Sequence, residues 1–154
     1  MKHFVDETHK NNVMKVIRDK RLVYPDGQVD CYYLPALFIL LSTKNNLYQK
    51  IRNYITADGI GFEAMMEKQD FSSGEAKLVR LAANLYNGFM EVTPQELINT
   101  LDDRNYDLAM RAIRFRRYGC HIENLIDREM DMEEDIEIDV EMDIAMENNF
   151  EMEL

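Results

Sequence analysis

Apolar and polar positions follow two different periods along this chain. Up to about residue 128 the apolar residues recur in short runs at helical spacing, separated by capping and turn residues; over residues 130–146 they alternate with acids, with Glu134 and Ala145 as the only exceptions. The first regime predicts a series of short helices. Asp6 is placed to cap a helix that runs to Lys20, with Val13, Met14, Val16 and Ile17 as its apolar stripe. The YPDG run at 24–27 is a turn by its chemistry, since proline pre-sets one dihedral and glycine accepts a positive φ. A second helix is expected over 30–43, where Pro35 requires either a start near Leu34 or a kink. Asn45 or Asn46 can cap a third, ending near Ile55, and Asp58-Gly59 marks a break before a weak helical turn at 62–66.

The helical pattern is strongest over 75–86, where Leu78, Leu81, Ala82 and Leu85 share a face, Ser72-Ser73 precede and Gly88 supplies a stop. Thr93-Pro94-Gln95-Glu96 combines a cap, a first-position proline and the glutamate of a capping box, and opens a helix that ends near Leu101. Asp102 or Asp103 then caps 104–117, in which Leu108, Ala109, Ala112, Ile113 and Phe115 can face a core while Arg111, Arg114, Arg116 and Arg117 point largely outward. Gly119 closes that helix, and a last helical stretch covers 121 to about 130. The expected fold is all-α: a compact bundle of about six or seven short helices over 1–128, followed over 129–154 by an acidic extended segment, β-strand or disordered.

The second regime carries the candidate site. Asp131, Glu133, Asp135, Glu137, Asp139, Glu141 and Asp143 occupy odd positions, and Met130, Met132, Ile136, Ile138, Val140, Met142, Ile144 and Met146 occupy even ones. In a strand this places all the carboxylates of the row on one face, roughly 6.6–6.8 Å apart, and the aliphatics on the other. A helix would scatter the acids around its circumference and set like charges at i,i+4. A regular carboxylate row at this spacing is comparable to a row of nucleic-acid phosphates. Mimicry of nucleic acid in a basic groove is therefore one reading. The others are a disordered solubilising tail, a clamp on Arg111, Arg114, Arg116 and Arg117, or edge-to-edge pairing into a homodimer. Eight alternating aliphatics serve no purpose in a tail kept only for charge.

Composition sharpens this picture. Twelve of the 29 acidic residues lie in 129–154, with no basic residue among them, so 17 acids face 18 Lys and Arg in the rest of the chain. The net charge of −11 belongs to the tail. No clustered basic footprint for direct nucleic-acid binding is evident, and an acidic excess favours partners that are basic, nucleic-acid-binding proteins. The densest apolar stretch, 34–41, is too short to span a membrane, and the N-terminus lacks the apolar core of a signal peptide, so a cytoplasmic protein is expected. Cys31 and Cys120 have no metal-like spacing.

Catalytic signatures are weak. Asp70, Glu75 and Lys77 imitate the D…ExK order of metal-dependent nucleases, but Glu75 and Lys77 open a helix and lie on different faces of it. His3, His9 and His121 are too scattered for a metal site and read as surface or half-buried residues. No phosphate-binding glycine loop and no nucleophile elbow occur. No enzyme activity, metal or cofactor is expected.

Phe4-x-Asp6-Glu7-x-His9-Lys10, the run SSGEAKLVRLAANLYNG at 72–88 and TPQELINTLDDRNYDLAMRAIRFR at 93–116 resemble a family of short uncharacterised proteins from Firmicutes and their mobile elements. That resemblance covers roughly residues 4–116 and implies a helical fold without a known chemistry; the acidic tail lies outside it. Together with the tail, the provenance implied by the resemblance leads to the expectation of a non-enzymatic phage or mobile-element inhibitor of a host defence protein such as a CRISPR effector. The alternative is a helical interaction or regulatory domain with a solubilising or self-associating tail.

Overall fold

A computed structural model describes residues 3–42 and 47–130. Among these, eight α-helices and one two-stranded hairpin form, so the all-α expectation holds. Phe4–Cys120 make one compact unit. Its first helix, α1 (Glu7–Lys20), starts at Asp6, whose carboxylate accepts from His9 N at 2.8 Å. His9, Val13 and Ile17, four residues apart, form its buried stripe. The helix closes through Arg21, a non-glycine residue at φ 57°, while Leu22 N bonds to Ile17 O at 3.0 Å. This is a Schellman closure with arginine in the position that usually takes glycine.

The YPDG turn forms as expected: Gly27 N reaches Tyr24 O at 2.8 Å with Gly27 at φ 89°, and Val23 bridges Val29 across it. The next helix, α2 (Tyr33–Leu40), begins late and is shorter than 30–43. Pro35 then falls within the first turn, where a missing N–H leaves no helical bond unmade. Asp30 supplies the start signal, its Oδ1 accepting from Tyr32 N (2.8 Å) and Tyr33 N (2.9 Å). Every residue from Leu34 to Leu40 is buried. With no polar face, α2 is the centre of the unit, in contact with α1 and with three helices that follow: α3 (Leu47–Ile51), α5 (Ser73–Asn87) and α7 (Asp103–Tyr118).

The expected caps of α3, Asn45 and Asn46, lie outside the described residues. A 3₁₀ turn (Arg52–Tyr54) extends α3, and a hairpin follows, β1 (Ile55–Thr56) paired antiparallel with β2 (Gly59–Ile60). The sequence pattern showed only a break here, because two-residue strands are too short to display a period of two. Gly59, at φ 139°, is held under Tyr86: a Cβ at this position would stand 3.1 Å from the Tyr86 hydroxyl. Tyr33 and Phe62 flank the Tyr86 ring at 5.1 and 5.7 Å. Burial and the Tyr33 hydroxyl push the Tyr86 phenol up to about 12.

α4 (Phe62–Lys68) leads to α5, which begins with a full capping box between Ser72 and Glu75 and ends at Gly88 (φ 75°). Asn84 and Asn87 finish that end, donating to Met90 O and accepting from Phe89 N. α6 (Pro94–Thr100) opens with the Thr93–Glu96 box, and α7 is capped by Asp102 and stopped at Gly119. Leu108, Ala109, Ala112 and Phe115 are buried on α7, and Ile113 is half-buried. Residues 121–130 belong to a second unit. It contains α8 (Ile122–Met130), where the His121 ring accepts from Glu123 N at 3.1 Å.

Candidate functional site

The seven acids of the expected contact row, Asp131, Glu133, Asp135, Glu137, Asp139, Glu141 and Asp143, lie outside the described residues. Within the described residues the most distinctive exposed chemistry gathers at the C-terminal end of α7. Arg116, Arg117 and Tyr118 occupy its last turn, Arg114 stands just before it, and the loop that ends in Asp30-Cys31-Tyr32 lies against it. Val29 N donates to Cys120 O at 2.9 Å and so fixes that loop to the chain just beyond the helix. The Arg116 guanidinium stacks 4.4 Å from the centre of the Tyr32 ring. Arg114 and Arg117 flank the Tyr118 ring, each 5.7 Å from its centre.

Tyr118 is 71% exposed and Tyr32 48%, values that leave most of one ring and half of the other open to a ligand. Among the described residues, Arg114, Arg116 and Arg117 form no ion pair with a carboxylate. Asp30, the acid of the adjoining loop, is occupied: Oδ1 accepts from Tyr32 N and Tyr33 N at the start of α2, and Oδ2 accepts the Tyr24 hydroxyl at 2.9 Å, which raises the Tyr24 phenol. Three guanidiniums at a helix C-terminus gain from the helix dipole but repel one another. Exposed arginine and tyrosine are also the side chains most enriched at binding hot spots. The outward direction of these arginines was legible in the sequence, but their pairing with tyrosines was not. The run Arg114-Phe115-Arg116-Arg117-Tyr118 was the available signal.

The nuclease-like order at Asp70, Glu75 and Lys77 resolves into a structural contact. Glu75 Oε1 accepts from Lys50 Nζ at 2.7 Å and from Ser72 N at 3.0 Å, and Lys50 also donates to the Asp70 backbone carbonyl at 2.7 Å. Burial pushes the Glu75 carboxyl up, and the Lys50 and Ser72 bonds outweigh it, holding the group below the usual range. Among the described residues no three His, Cys, Asp or Glu side chains stand close enough to hold a metal.

His9 corrects the expectation of a surface or half-buried histidine. It is fully buried, with Nε2 bonded to Phe38 O at 2.7 Å and Nδ1 accepting from Val5 N at 3.1 Å. Those partners specify the neutral tautomer with its proton on Nε2. Phe4 and Phe38 pack on the ring at 5.2 and 4.8 Å, and burial lowers its pKa to about 4. A shallow cleft runs beside α1, with volumes of 170 and 300 Å³ along its length. Val16, Leu41 and Ile55 contribute its apolar lining, and the Lys15–Asp19 ion pair (2.8 Å) lies among its polar residues. The Lys20 ammonium, which donates to Thr56 O and lies over the Tyr33 ring at 5.4 Å, joins α1 to the hairpin there. The cleft is a seam between packed elements.

The described chain is thus a helical domain with a cationic and aromatic surface at one helix end. It belongs to a family of unknown function, DUF6075, whose model matches residues 1–130. No curated protein and no solved structure matches the chain. The acidic row lies beyond the matched span. No helix among the described residues is long and apolar enough to cross a membrane.

Proposed function

We propose that this protein is a non-enzymatic inhibitor, carried by a phage or mobile element, that binds the basic groove of a nucleic-acid-handling defence protein through its acidic C-terminal row. The observation that carries this reading is the period of two in the sequence of the tail: twelve acids without a basic residue, seven of them at alternate positions, the spacing that one face of a strand would present. Such a row meets an arginine-lined channel as phosphates do, and displaces the same counterions. CRISPR effectors of the Cas9 type hold nucleic acid in a channel of this kind and read the PAM with arginines, which makes them the preferred target class.

The test is target cleavage by a Cas9-type effector in the presence of the full chain or of a variant with residues 130–146 scrambled at constant composition. The full chain inhibits, inhibition weakens as salt rises, and the scrambled chain does not inhibit. Equal inhibition by both chains would overturn the role of the row. Absence of inhibition by the full chain against such effectors would overturn the target class. A second reading, a helical interaction domain whose tail self-associates, is favoured by the arginine–tyrosine surface on α7.

A further inference from the structure

The surface at the end of α7 combines three features: guanidiniums without carboxylate partners among the described residues, exposed phenol rings held beside them, and a backbone tie that fixes their relative position. The ligand chemistry that fits is a segment with carboxylates at regular intervals and apolar side chains between them. Arginine forks bind carboxylates in bidentate fashion, and tyrosine rings offer apolar area that is already half-ordered by the stacked guanidinium. Side chains three apart on a helix, such as Arg114 and Arg117, stand about 5–6 Å apart at Cβ. Same-face acids of an extended chain stand roughly 6.6–6.8 Å apart, a difference that flexible arginine side chains absorb.

We infer that this surface is a self-association site that receives the acidic segment 131–143 of a second copy of this chain. Charge complementarity selects the occupant: the matched domain carries the arginines, and every copy carries the complementary row immediately after it. The row begins at the residue after α8 ends. A row that folded back on its own chain would leave the protein monomeric, an outcome that the experiment below reads. Reciprocal exchange gives a closed two-fold dimer with two equal contacts. Self-association shares the acidic row with the function proposed above but needs no foreign target, so a chain that dimerises and inhibits nothing, or the reverse, separates the two.

The experiment measures the oligomeric state of the full chain by sedimentation velocity over a concentration series, at about 50 and about 500 mM salt. Two full-length variants accompany it: Arg114→Glu with Arg117→Glu, and the seven row acids changed to Asn or Gln. Circular dichroism checks that both keep the helical fold. The expected result is a concentration-dependent dimer whose dissociation constant rises at least about tenfold in high salt and in either variant. Mixing the two variants restores association, because one retains the row and the other the surface. A chain that is monomeric throughout, a dimer indifferent to salt and to both variants, or variants that fail to complement on mixing would each overturn the inference. Should the arginine variant unfold, loss of the dimer in the folded row variant, together with its rescue by added wild-type chain, decides the matter.

Discussion

Lowering the pH from 7 toward 4 should destabilise the Phe4–Cys120 unit through His9 before most carboxylates respond. His9 is neutral and fully buried, and its pKa falls from 6.5 to about 4. Desolvation is the main cause, opposed by the bond to Phe38 O. Because the folded-state value is depressed, the stabilisation is fully present above pH 6.5 and is lost as pH falls from there toward 4. One pKa unit corresponds to 1.36 kcal/mol, so the unit loses about 2 kcal/mol by pH 5 and about 3 kcal/mol by pH 4. Carboxylates unfolded at about 3.9–4.3 change little above pH 5, so the upper part of that window belongs to histidine. Urea unfolding of wild type and His9→Gln at pH 7, 6 and 5 isolates the effect. Gln cannot titrate and retains an amide donor for Phe38 O, so at pH 7 it costs about 1–3 kcal/mol, and the gap to wild type narrows by about 2 kcal/mol at pH 5. The His9 ring resonances should titrate with a midpoint near 4. A midpoint near 6.5, or a gap that does not change with pH, would refute the reasoning.

Five further substitutions test local packing and backbone geometry. Gly59→Ala meets both a positive φ of 139° and the Tyr86 hydroxyl at 3.1 Å, and should cost about 1–3 kcal/mol in chemical denaturation; Gly61→Ala, whose Cβ finds only ordinary contact at 3.7 Å, should be milder, and equal effects would contradict the role given to Tyr86. Lys50→Met strips the nearly buried Glu75 carboxylate of its cation and should lower stability by about 2 kcal/mol, with partial recovery when Glu75→Gln is added; no recovery would mean that Lys50 acts through its aliphatic stem. Arg21→Gly relieves a left-handed non-glycine residue at φ 57° and should stabilise by about 0.5–1 kcal/mol in a thermal melt, a gain that is absent if the arginine side chain makes compensating contacts.

How much of this structure was legible in the sequence depended on the range of the interaction that fixes each part. Helices fixed by neighbours in the chain were readable: Asp6, Thr93 and Asp102 cap α1, α6 and α7, and Gly88 and Gly119 stop α5 and α7. α2 was placed but drawn too long, because a segment buried on every side has no period to mark its ends. The hairpin at 55–60 escaped because its two-residue strands show no period, and the Tyr86 hydroxyl that crowds Gly59 lies on a distant helix. The same limit applied to the chemistry. The Lys50 ammonium that pairs with Glu75 stands 25 residues away in the chain. Arg116 was known to face outward, but its ring partner Tyr32 comes from another loop. The acidic row remains as the sequence states it, a regular pattern beyond the described helices.

The wholly apolar α2 has a consequence for synthesis. Two of the helices that cover it, α5 and α7, lie well later in the chain, and α7 ends at Tyr118, so the burial of Leu34–Leu40 is complete only after some 78 further residues beyond Leu40 have been added. At roughly 5–20 residues per second this is about 4–16 seconds on the ribosome with the most apolar helix incompletely covered. A translation product that stops short of α7 leaves part of that surface uncovered, and transiently exposed apolar surface of this kind is what makes incomplete chains prone to aggregate.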